Sequence, residues 1–201
     1  MSEAGMQAAV DILKPGVREC ELVGTCFKKF WELGSETTQC SQAVNSGPGN
    51  FPYRRFHTDR IIQAGEIVNM DFGACFCGYF GDFCRSFVSG TRMTSKQADL
   101  MKRAYHQIRE KENAIKPGFT AKQICESINK KRVGHGIGIA AFQAPHLHAT
   151  NDFVVQPGMI FCVDTTAGEL GIGGAHLEDQ VVVTETGCEV YSTYPYTGIN
   201  D

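Results

Sequence analysis

Two aspartates separated by eleven positions are the residues best placed to do chemistry. Asp71 and Asp82 lie in two apolar, β-like runs, Glu66–Cys75 and Tyr79–Val88, with Gly78 between them. Apolar runs divided by a glycine predict a β-hairpin. A hairpin can bring both carboxylates to one face of a sheet, where they could act together.

The register of this hairpin decides how close the carboxylates come. A turn centred between Phe76 and Cys77 would place Asp71 directly opposite Asp82, about 5 Å away. Two carboxylates at that distance among apolar neighbours repel each other, so a shared proton, an arginine such as Arg85, or metal cations would have to neutralise them. In the alternative interpretation, a shifted register moves one aspartate into solvent.

Three further residues could join the aspartates. His135 lies in the glycine-rich segment 134–138, where the backbone can approach a ligand closely. Asp164 ends the apolar run Met159–Val163, and Glu178 precedes a β-like run. An oxygen-rich set with one nitrogen suits a pair of divalent ions, such as manganese, iron or cobalt, that share bridging carboxylates.

The elements that must position these residues are helices and strands of an α/β protein. Apolar periodicity predicts helices over residues 4–13 and 17–33. Capping-box patterns at Thr94 and Thr120 predict two more helices, ending near Ile115 and Lys131. Strands are predicted at 159–165 and 179–184.

An internal repeat relates the two halves of the chain. Ile12–Gly16 matches Ala114–Gly118, and Gln63–Ile67 matches Gln156–Ile160. Asp71 lies six residues after the glycine of Gln63–Ile67, and Asp164 lies six residues after the glycine of Gln156–Ile160. The repeat predicts two pseudo-symmetric halves. The second half is nine residues shorter than the first, and the missing residues would lie just before the glycine-rich segment 134–138.

Composition limits the class of protein. The 201 residues are 42% hydrophobic and carry 19 basic and 22 acidic side chains, a net charge of −3. This near balance does not favour nucleic acid or an anionic membrane as partner, and no apolar run approaches the ~20 residues of a membrane span. Nine cysteines without a C-x-x-C pair favour reduced thiols. We expect a single soluble domain located in the cytoplasm.

As a set, the motifs resemble the pita-bread metallopeptidase family, which includes methionine aminopeptidases, Xaa-Pro aminopeptidases and prolidases, with creatinase as a metal-free relative. The similar segments follow the family's order from about residue 4 to Ser192: Asn45–Pro48, Thr58–Arg60, Gly65–Val68, Asp71–Ala74, Gly78–Tyr79, Asp82, Arg85–Phe87, Gly134–Gly138, Pro157–Met159, Phe161, Gly173–Gly174 and Leu177–Asp179. The resemblance implies the pita-bread fold, a curved and mainly antiparallel sheet backed by helices. Residues 1–201 would form one catalytic domain, either complete or a fragment of a longer chain with an N-terminal domain.

The same resemblance implies the roles of the site residues. Asp71 would bind one metal ion, His135 would bind another, and Asp82 and Glu178 would bridge both. Asp164 falls where the family has a glutamate ligand. Two divalent ions (Mn, Fe, Co or Zn) would activate water for hydrolysis near the free N-terminus of a peptide, in the manner of an Xaa-Pro peptidase. A homodimer is compatible with this resemblance.

Three positions depart from the family pattern. Tyr53 and Phe142 stand where the peptidases have histidines that contact substrate, and each such donor is worth about 2–4 kcal/mol of barrier. His57 and His146 are the nearby candidates to replace them as catalytic residues. The Asp164 side chain is one methylene shorter than glutamate, which reduces its reach by ~1.5 Å.

Two other functions remain open. The segments Leu177–Gly187 and Tyr191–Tyr196 are similar to the dimethylsulfoniopropionate lyases of this superfamily, which implies a metal-dependent small-molecule lyase. The three departures from the family pattern are also compatible with a non-catalytic protein that has kept the fold and binds a ligand, a binding derivative of the family. His57 or His146 reaching the site would favour hydrolysis, a cavity too small for a dipeptide would favour a small-molecule enzyme, and failure to bind metal would favour the binding protein.

Overall fold

The computed structural model describes residues 1–39, 43–52 and 56–199. Within these ranges the helices are α1 (Ser2–Ile12), α2 (Glu19–Glu32), α3 (Ser95–Ala114) and α4 (Ala121–Ser127), with a 3-10 turn at Pro48–Asn50. The strands are β1 (Thr37–Thr38), β2 (Ala43–Ser46), β3 (Ile67–Phe72), β4 (Ala74–Phe76), β5 (Tyr79–Phe80), β6 (Phe83–Val88), β7 (Arg132–Gly136), β8 (Gln143–His148), β9 (Ile160–Glu169), β10 (Gly173–Val183) and β11 (Cys188–Val190). The predicted helices and the mixed α/β class are confirmed.

One large antiparallel sheet runs through the molecule. Its strand order is β2-β3-β6-β10-β9-β7-β8, and β11 pairs with the end of β10. A small sheet of order β1-β4-β5 lies beside it. Since β6 and β10 are neighbours, the first and second halves of the chain meet at the middle of the large sheet.

The two halves are arranged symmetrically about this junction. From the outer strand inward, β2-β3-β6 of the first half corresponds to β7-β9-β10 of the second. The matched glycines Gly16 and Gly118 turn the chain between paired helices, and Gly65 and Gly158 precede β3 and β9. All four have φ between +79° and +95°, a left-handed conformation that glycine adopts without steric cost. The predicted pseudo-symmetric halves are therefore confirmed.

Each half has its own apolar core. Helices α1 and α2 pack on the first half through residues such as Phe30 and Met70. Helices α3 and α4 pack on the second half through residues such as Ile108 and Phe161. Helices thus line one face of the large sheet in both halves, which leaves the other face to the polar residues described below.

Both predicted capping boxes are present. The hydroxyls of Thr94 and Thr120 accept hydrogen bonds from the backbone N–H groups of Gln97 and Gln123. Helix α4 is shorter than predicted and ends at Ser127, followed by a residue with positive φ at position 129.

The hairpin of the first half has a different register from the one predicted. Cys77 and Gly78 occupy the turn, with φ of +51° and +75°, because a two-residue turn of this hand matches the strand twist. Asp71 consequently pairs with Cys84 and not with Asp82. The shift is two residues, so the side-chain alternation is unchanged and both aspartates keep the same face.

Two predictions concern the whole chain. Among the described residues, no helix combines the length and apolar character needed to cross a membrane. The eight cysteines in the described part of the chain are free thiols, as predicted, and Cys40 lies outside the described residues.

Candidate metal centre

A row of four side chains crosses the sheet and joins the two halves. In register, Asp71 of β3 pairs with Cys84 of β6, Cys84 with Glu178 of β10, and Glu178 with Asp164 of β9. Paired residues in adjacent antiparallel strands project to the same side of a sheet. The predicted residues Asp71, Glu178 and Asp164 therefore share one face.

Two side chains next to this row approach it from the second half. Cys162 lies two residues before Asp164 on β9, so it projects to the same face. His135 of β7 pairs directly with Cys162. The strands are close here, since a Cβ on Gly134 would lie 2.0 Å from the carbonyl oxygen of Cys162. Glycine at position 134 thus allows the close approach of His135 to Cys162.

The site contains two groups of buried side chains with donor atoms suited to metal ions. In each group, one donor atom per residue lies within 4.8 Å of the others. The first group is Asp82, His135, Cys162 and Glu178, and the second is Asp71, His176 and Glu178. Glu178 belongs to both groups, which is the position of a carboxylate that could bridge two ions.

The hydrogen bonds of His135 leave a lone pair pointing at a carboxylate. Its Nδ1 lies 3.1 Å from the carbonyl oxygen of Gly136, which can only accept, so Nδ1 carries the proton. In the neutral ring, Nε2 then faces Glu178 Oε1 at 3.2 Å with no hydrogen between them. Either a second proton or a cation must occupy this contact, and metal-binding histidines commonly donate their other N–H to a backbone carbonyl.

A second imidazole lies on the other side of Glu178. His176 Nε2 is 3.8 Å from Glu178 Oε2, and its Nδ1 is 2.7 Å from the Thr166 hydroxyl. Burial disfavours charge on both imidazoles, but Glu178 outweighs burial and raises the pKa of His135 and of His176. Burial would likewise raise the pKa of Glu178, but its contacts with the two rings reverse this and lower the pKa to about 2.

Asp82 has an incompletely satisfied carboxylate. Its Oδ1 is buried and has no hydrogen-bond partner among the described residues. Burial and then the charges of Glu178 and Asp71 raise the pKa of Asp82 well above its ordinary value. The other aspartate is better held, since Gln39 donates to Asp71 Oδ1 at 2.9 Å. A buried carboxylate oxygen without a partner, in an oxygen-rich pocket, fits a divalent cation.

Arg85 does not neutralise this site, so that alternative is wrong. Because it follows Cys84 along β6, its side chain projects to the opposite face and is wholly buried there against Asp179, at 2.8 Å. Its guanidinium also donates to the backbone carbonyls of Cys84 and Glu178, each at 2.9 Å. Arg85 thus supports the backbone behind the site. Of the three neutralising groups considered, a proton or metal cations remain.

Asp164 shares the face but lies in neither donor group. Its carboxylate pairs with the guanidinium of Arg132 through contacts of 2.6 and 3.1 Å. The Lys111 ammonium donates to the backbone carbonyl of Asp164. Two cationic side chains therefore hold this residue at the edge of the site.

The predicted catalytic histidines lie in different surroundings. His146 pairs with His135 in the β7–β8 ladder, and the Phe142 ring packs against both, with centroids 4.5 and 4.7 Å away. His57 is half-buried in the segment before β3 and belongs to neither donor group. Tyr53, the other departure from the family pattern, lies outside the described residues.

Sequence reasoning missed two members of the site, Cys162 and His176. Each lies two residues before a predicted ligand, Asp164 and Glu178 respectively. Because alternate residues of a strand share a face, extending the pattern by two positions would have found both. The number and spacing of the cysteines predict only a reduced thiol at position 162.

Comparison with known proteins identifies the family of this chain. The sequence profile of metallopeptidase family M24 matches residues 1–185. The probable dipeptidase PepE of Mycobacterium tuberculosis is 31% identical over 168 residues, which cover 76% of this chain and 44% of that protein. The Xaa-Pro dipeptidase of Pyrococcus furiosus is 24% identical over 202 residues, covering 94% of this chain and 58% of that protein. This chain thus spans about half the length of these curated relatives.

Solved structures show the same fold. The prolidase from Pyrococcus furiosus superposes with a TM-score of 0.86 at 25% identity, covering 95% of this chain and 60% of that one. The Xaa-Pro dipeptidase from Bacillus anthracis gives a TM-score of 0.87 at 27% identity, with coverage of 98% and 59%. With this fold over nearly its whole length and a family match over residues 1–185, the chain belongs to the pita-bread metallopeptidases, family M24.

Proposed function

We propose that this chain is the catalytic part of a dinuclear-metal, aminopeptidase-like hydrolase of the Xaa-Pro type. The observation that carries the proposal is the position of Glu178, whose carboxylate belongs to both donor groups. Supporting evidence is the membership of family M24 and the similarity to proteins named as dipeptidases and prolidases. The proposal includes one domain over residues 1–201, a peptide substrate, a cytoplasmic location and a homodimer.

Within the proposal, the chain's own residues hold two divalent ions (Mn, Fe, Co or Zn). Asp71 would bind one ion, His135 would bind the other, and Asp82 and Glu178 would contribute to both. When bound, such ions lower the pKa of a water and polarise the carbonyl to be cleaved. The Gly136 carbonyl fixes the His135 tautomer, which keeps Nε2 available as a ligand.

The proposed catalytic histidines are His146 and His57. His146 lies beside His135, and its Nδ1 is buried without a hydrogen-bond partner among the described residues. Burial, and then the neighbouring His135 and Arg132, lower the pKa of His146, so the ring is neutral near pH 7. A neutral imidazole can donate a hydrogen bond to a substrate oxygen or pass on a proton. His57 is retained on the sequence argument, as the histidine nearest to Tyr53.

An assay that varies the substrate terminus tests this function. The purified chain is reconstituted with Mn²⁺, Co²⁺, Fe²⁺ or Zn²⁺ and offered an Xaa-Pro dipeptide, the same dipeptide with an acetylated amine, and the reversed Pro-Xaa dipeptide. We expect metal-dependent cleavage of the free Xaa-Pro dipeptide only. Elimination from dimethylsulfoniopropionate without peptide cleavage would instead support the lyase, and neither metal binding nor turnover would support the binding derivative.

The ion pair of Asp164 gives a prediction about the ion that His135 would bind. If Asp164 is a ligand, Arg132 competes with the metal for its carboxylate. Arg132→Gln should therefore tighten the more weakly bound ion about tenfold, equivalent to about 1.4 kcal/mol. Metal titration by calorimetry measures this change.

The matched control is Arg103→Gln on α3, which removes an arginine that pairs with Asp99 at the surface. It should leave both affinities unchanged. Asp164→Glu should also tighten the binding of this ion, because the longer glutamate side chain reaches further toward the metal. Unchanged binding in both Arg132→Gln and Asp164→Glu would mean that Asp164 serves only its ion pair.

A further inference from the structure

We propose that Cys162 and His176 are metal ligands in this chain, and that the Cys162 thiolate makes the first site select zinc over manganese. The inference rests on the proposed metal centre and specifies its chemistry. The first site would consist of Asp82, His135, Cys162 and Glu178. The second would consist of Asp71, His176 and Glu178, with the proposed bridging carboxylate of Asp82 shared between the two sites.

The position of Cys162 supports its role. The side chain is fully buried, lies on the site face of β9 and pairs directly with His135. Its sulfur lies 3.8 Å from the backbone carbonyl of Asp82, a weak contact. The thiol thus lies among three candidate ligands, and the described part of the chain offers it no strong hydrogen bond.

A second buried cysteine shows that position, not burial, sets Cys162 apart. Cys84 is also fully buried and lies in the row between Asp71 and Glu178. Its thiol, however, is 3.4 Å from the His176 carbonyl, and it belongs to neither donor group. Cys84 therefore provides a matched control within the same site.

His176 supplies the nitrogen of the second site. Its ring is oriented by Thr166 at Nδ1, so Nε2 is directed toward Glu178. Asp164, which the family resemblance places among the ligands, is held by Arg132 and belongs to neither donor group. His176 would thus be an additional nitrogen donor beside Asp71 and Glu178.

Ligand chemistry predicts different preferences for the two sites. A set of one sulfur, one nitrogen and two carboxylates matches zinc, which binds thiolate, imidazole and carboxylate in tetrahedral sites. Manganese prefers oxygen ligands and gains little from sulfur. On binding, the Cys162 thiol loses its proton to solvent and its sulfur binds as thiolate. The second site has no sulfur and should exchange zinc for manganese more readily.

Cobalt substitution tests the sulfur ligand without any activity assay. The Co²⁺-loaded protein should show thiolate-to-cobalt charge-transfer absorption in the near ultraviolet. Cys162→Ser should lose this absorption, and Cys84→Ser should retain it. In competition binding, Cys162→Ser should also lower the zinc-to-manganese preference of the first site at least tenfold, with Cys162→Ala as a second variant if the serine protein does not fold.

His176→Gln tests the nitrogen ligand. We expect the number of bound ions to fall from two to one while the charge-transfer absorption remains. His148→Gln is the control, because His148 bonds only with Thr150 in the described structure and belongs to neither group.

The outcomes separate this inference from the proposed function. Metal-dependent Xaa-Pro cleavage without charge-transfer absorption would overturn the thiolate ligand and leave the peptidase standing. The absorption without peptide cleavage would support the ligand and contradict the peptidase. Two bound ions in His176→Gln would overturn the role of His176.

Discussion

Asp82→Asn should abolish the binding of both metal ions and yet raise the melting temperature of the metal-free protein. The Asp82 carboxylate is buried beside Glu178 and Asp71, and its Oδ1 lacks a partner among the described residues. An amide cannot bridge two cations, so the variant should lose both ions and with them the proposed hydrolase activity. Without metal, the same change removes a buried and repelled charge.

The pH dependence of this effect follows from the pKa of Asp82. Because the folded-state pKa lies above the unfolded value, the folded protein takes up a proton more readily. Asp82 therefore destabilises the metal-free fold progressively as pH rises above the unfolded pKa of about 4. The melting temperature of Asp82→Asn in chelator should exceed that of wild type, and the gap should widen from pH 5 toward the folded pKa. Each 1 kcal/mol corresponds to about 2–4 °C.

The control for Asp82→Asn is Asp99→Asn on the exposed face of α3, which pairs only with Arg103 in the described structure. It should change neither metal stoichiometry nor the melting temperature by more than about 1 °C, since exposed pairs contribute little. Two ions bound by Asp82→Asn would contradict the bridging role. A melting temperature of Asp82→Asn below that of wild type in chelator would contradict the inference that the Asp82 charge destabilises the metal-free fold.

Glu178→Gln should also abolish metal binding, but with the opposite effect on the metal-free protein. The Glu178 carboxylate is the anion that both buried imidazoles face, at 3.2 and 3.8 Å. Removing one partner of a buried charged group costs on the order of 3 kcal/mol. We expect the melting temperature to fall by roughly 6–12 °C.

Acid titration distinguishes this loss from a general packing defect. The pKa of Glu178 is lowered to about 2, so its contribution is fully present above the unfolded pKa of about 4.3 and is lost as pH falls toward 2. Wild type and Glu178→Gln should therefore converge in stability at low pH. Glu189→Gln, an exposed change on β11, is the control. Equal stabilities at pH 7 would show that Glu178 does not stabilise the metal-free site.

The sequence was sufficient where local chemistry decides the structure. Thr94 and Thr120 mark helix starts because capping depends on residues within one turn. The paired glycines of the repeat require left-handed backbone in both halves, and this local requirement revealed the symmetry of the sheet. The predicted turn position is wrong by two residues. Asp71 and Asp82 are nevertheless correctly predicted to share one face, because a two-residue shift in register keeps each side chain on the same side of the sheet.

The sequence was insufficient to predict features of the structure that depend on contacts between residues far apart in the chain. Strand β10 is longer than predicted, since its buried polar residues, such as His176 and Glu178, interrupt the apolar pattern while facing the site. The pairing of Asp164 with Arg132 joins residues 32 positions apart, and only the β7–β9 pairing brings them together. Cys162 carries no motif of its own, so only the strand register shows its position beside His135.

The location of the site at the junction of β6 and β10 has a consequence for its evolutionary origin. Each donor group takes one aspartate from the first half and its other residues from the second half. Arg85 bridges the same junction by donating to the carbonyls of Cys84 and Glu178. Neither half alone contains a complete donor group, so a half-length chain with these residues would hold a metal ion only by pairing with a complementary half. Duplication and fusion would then have made that pairing permanent and allowed the two copies to diverge, one supplying aspartates and the other imidazoles, thiol and the shared glutamate.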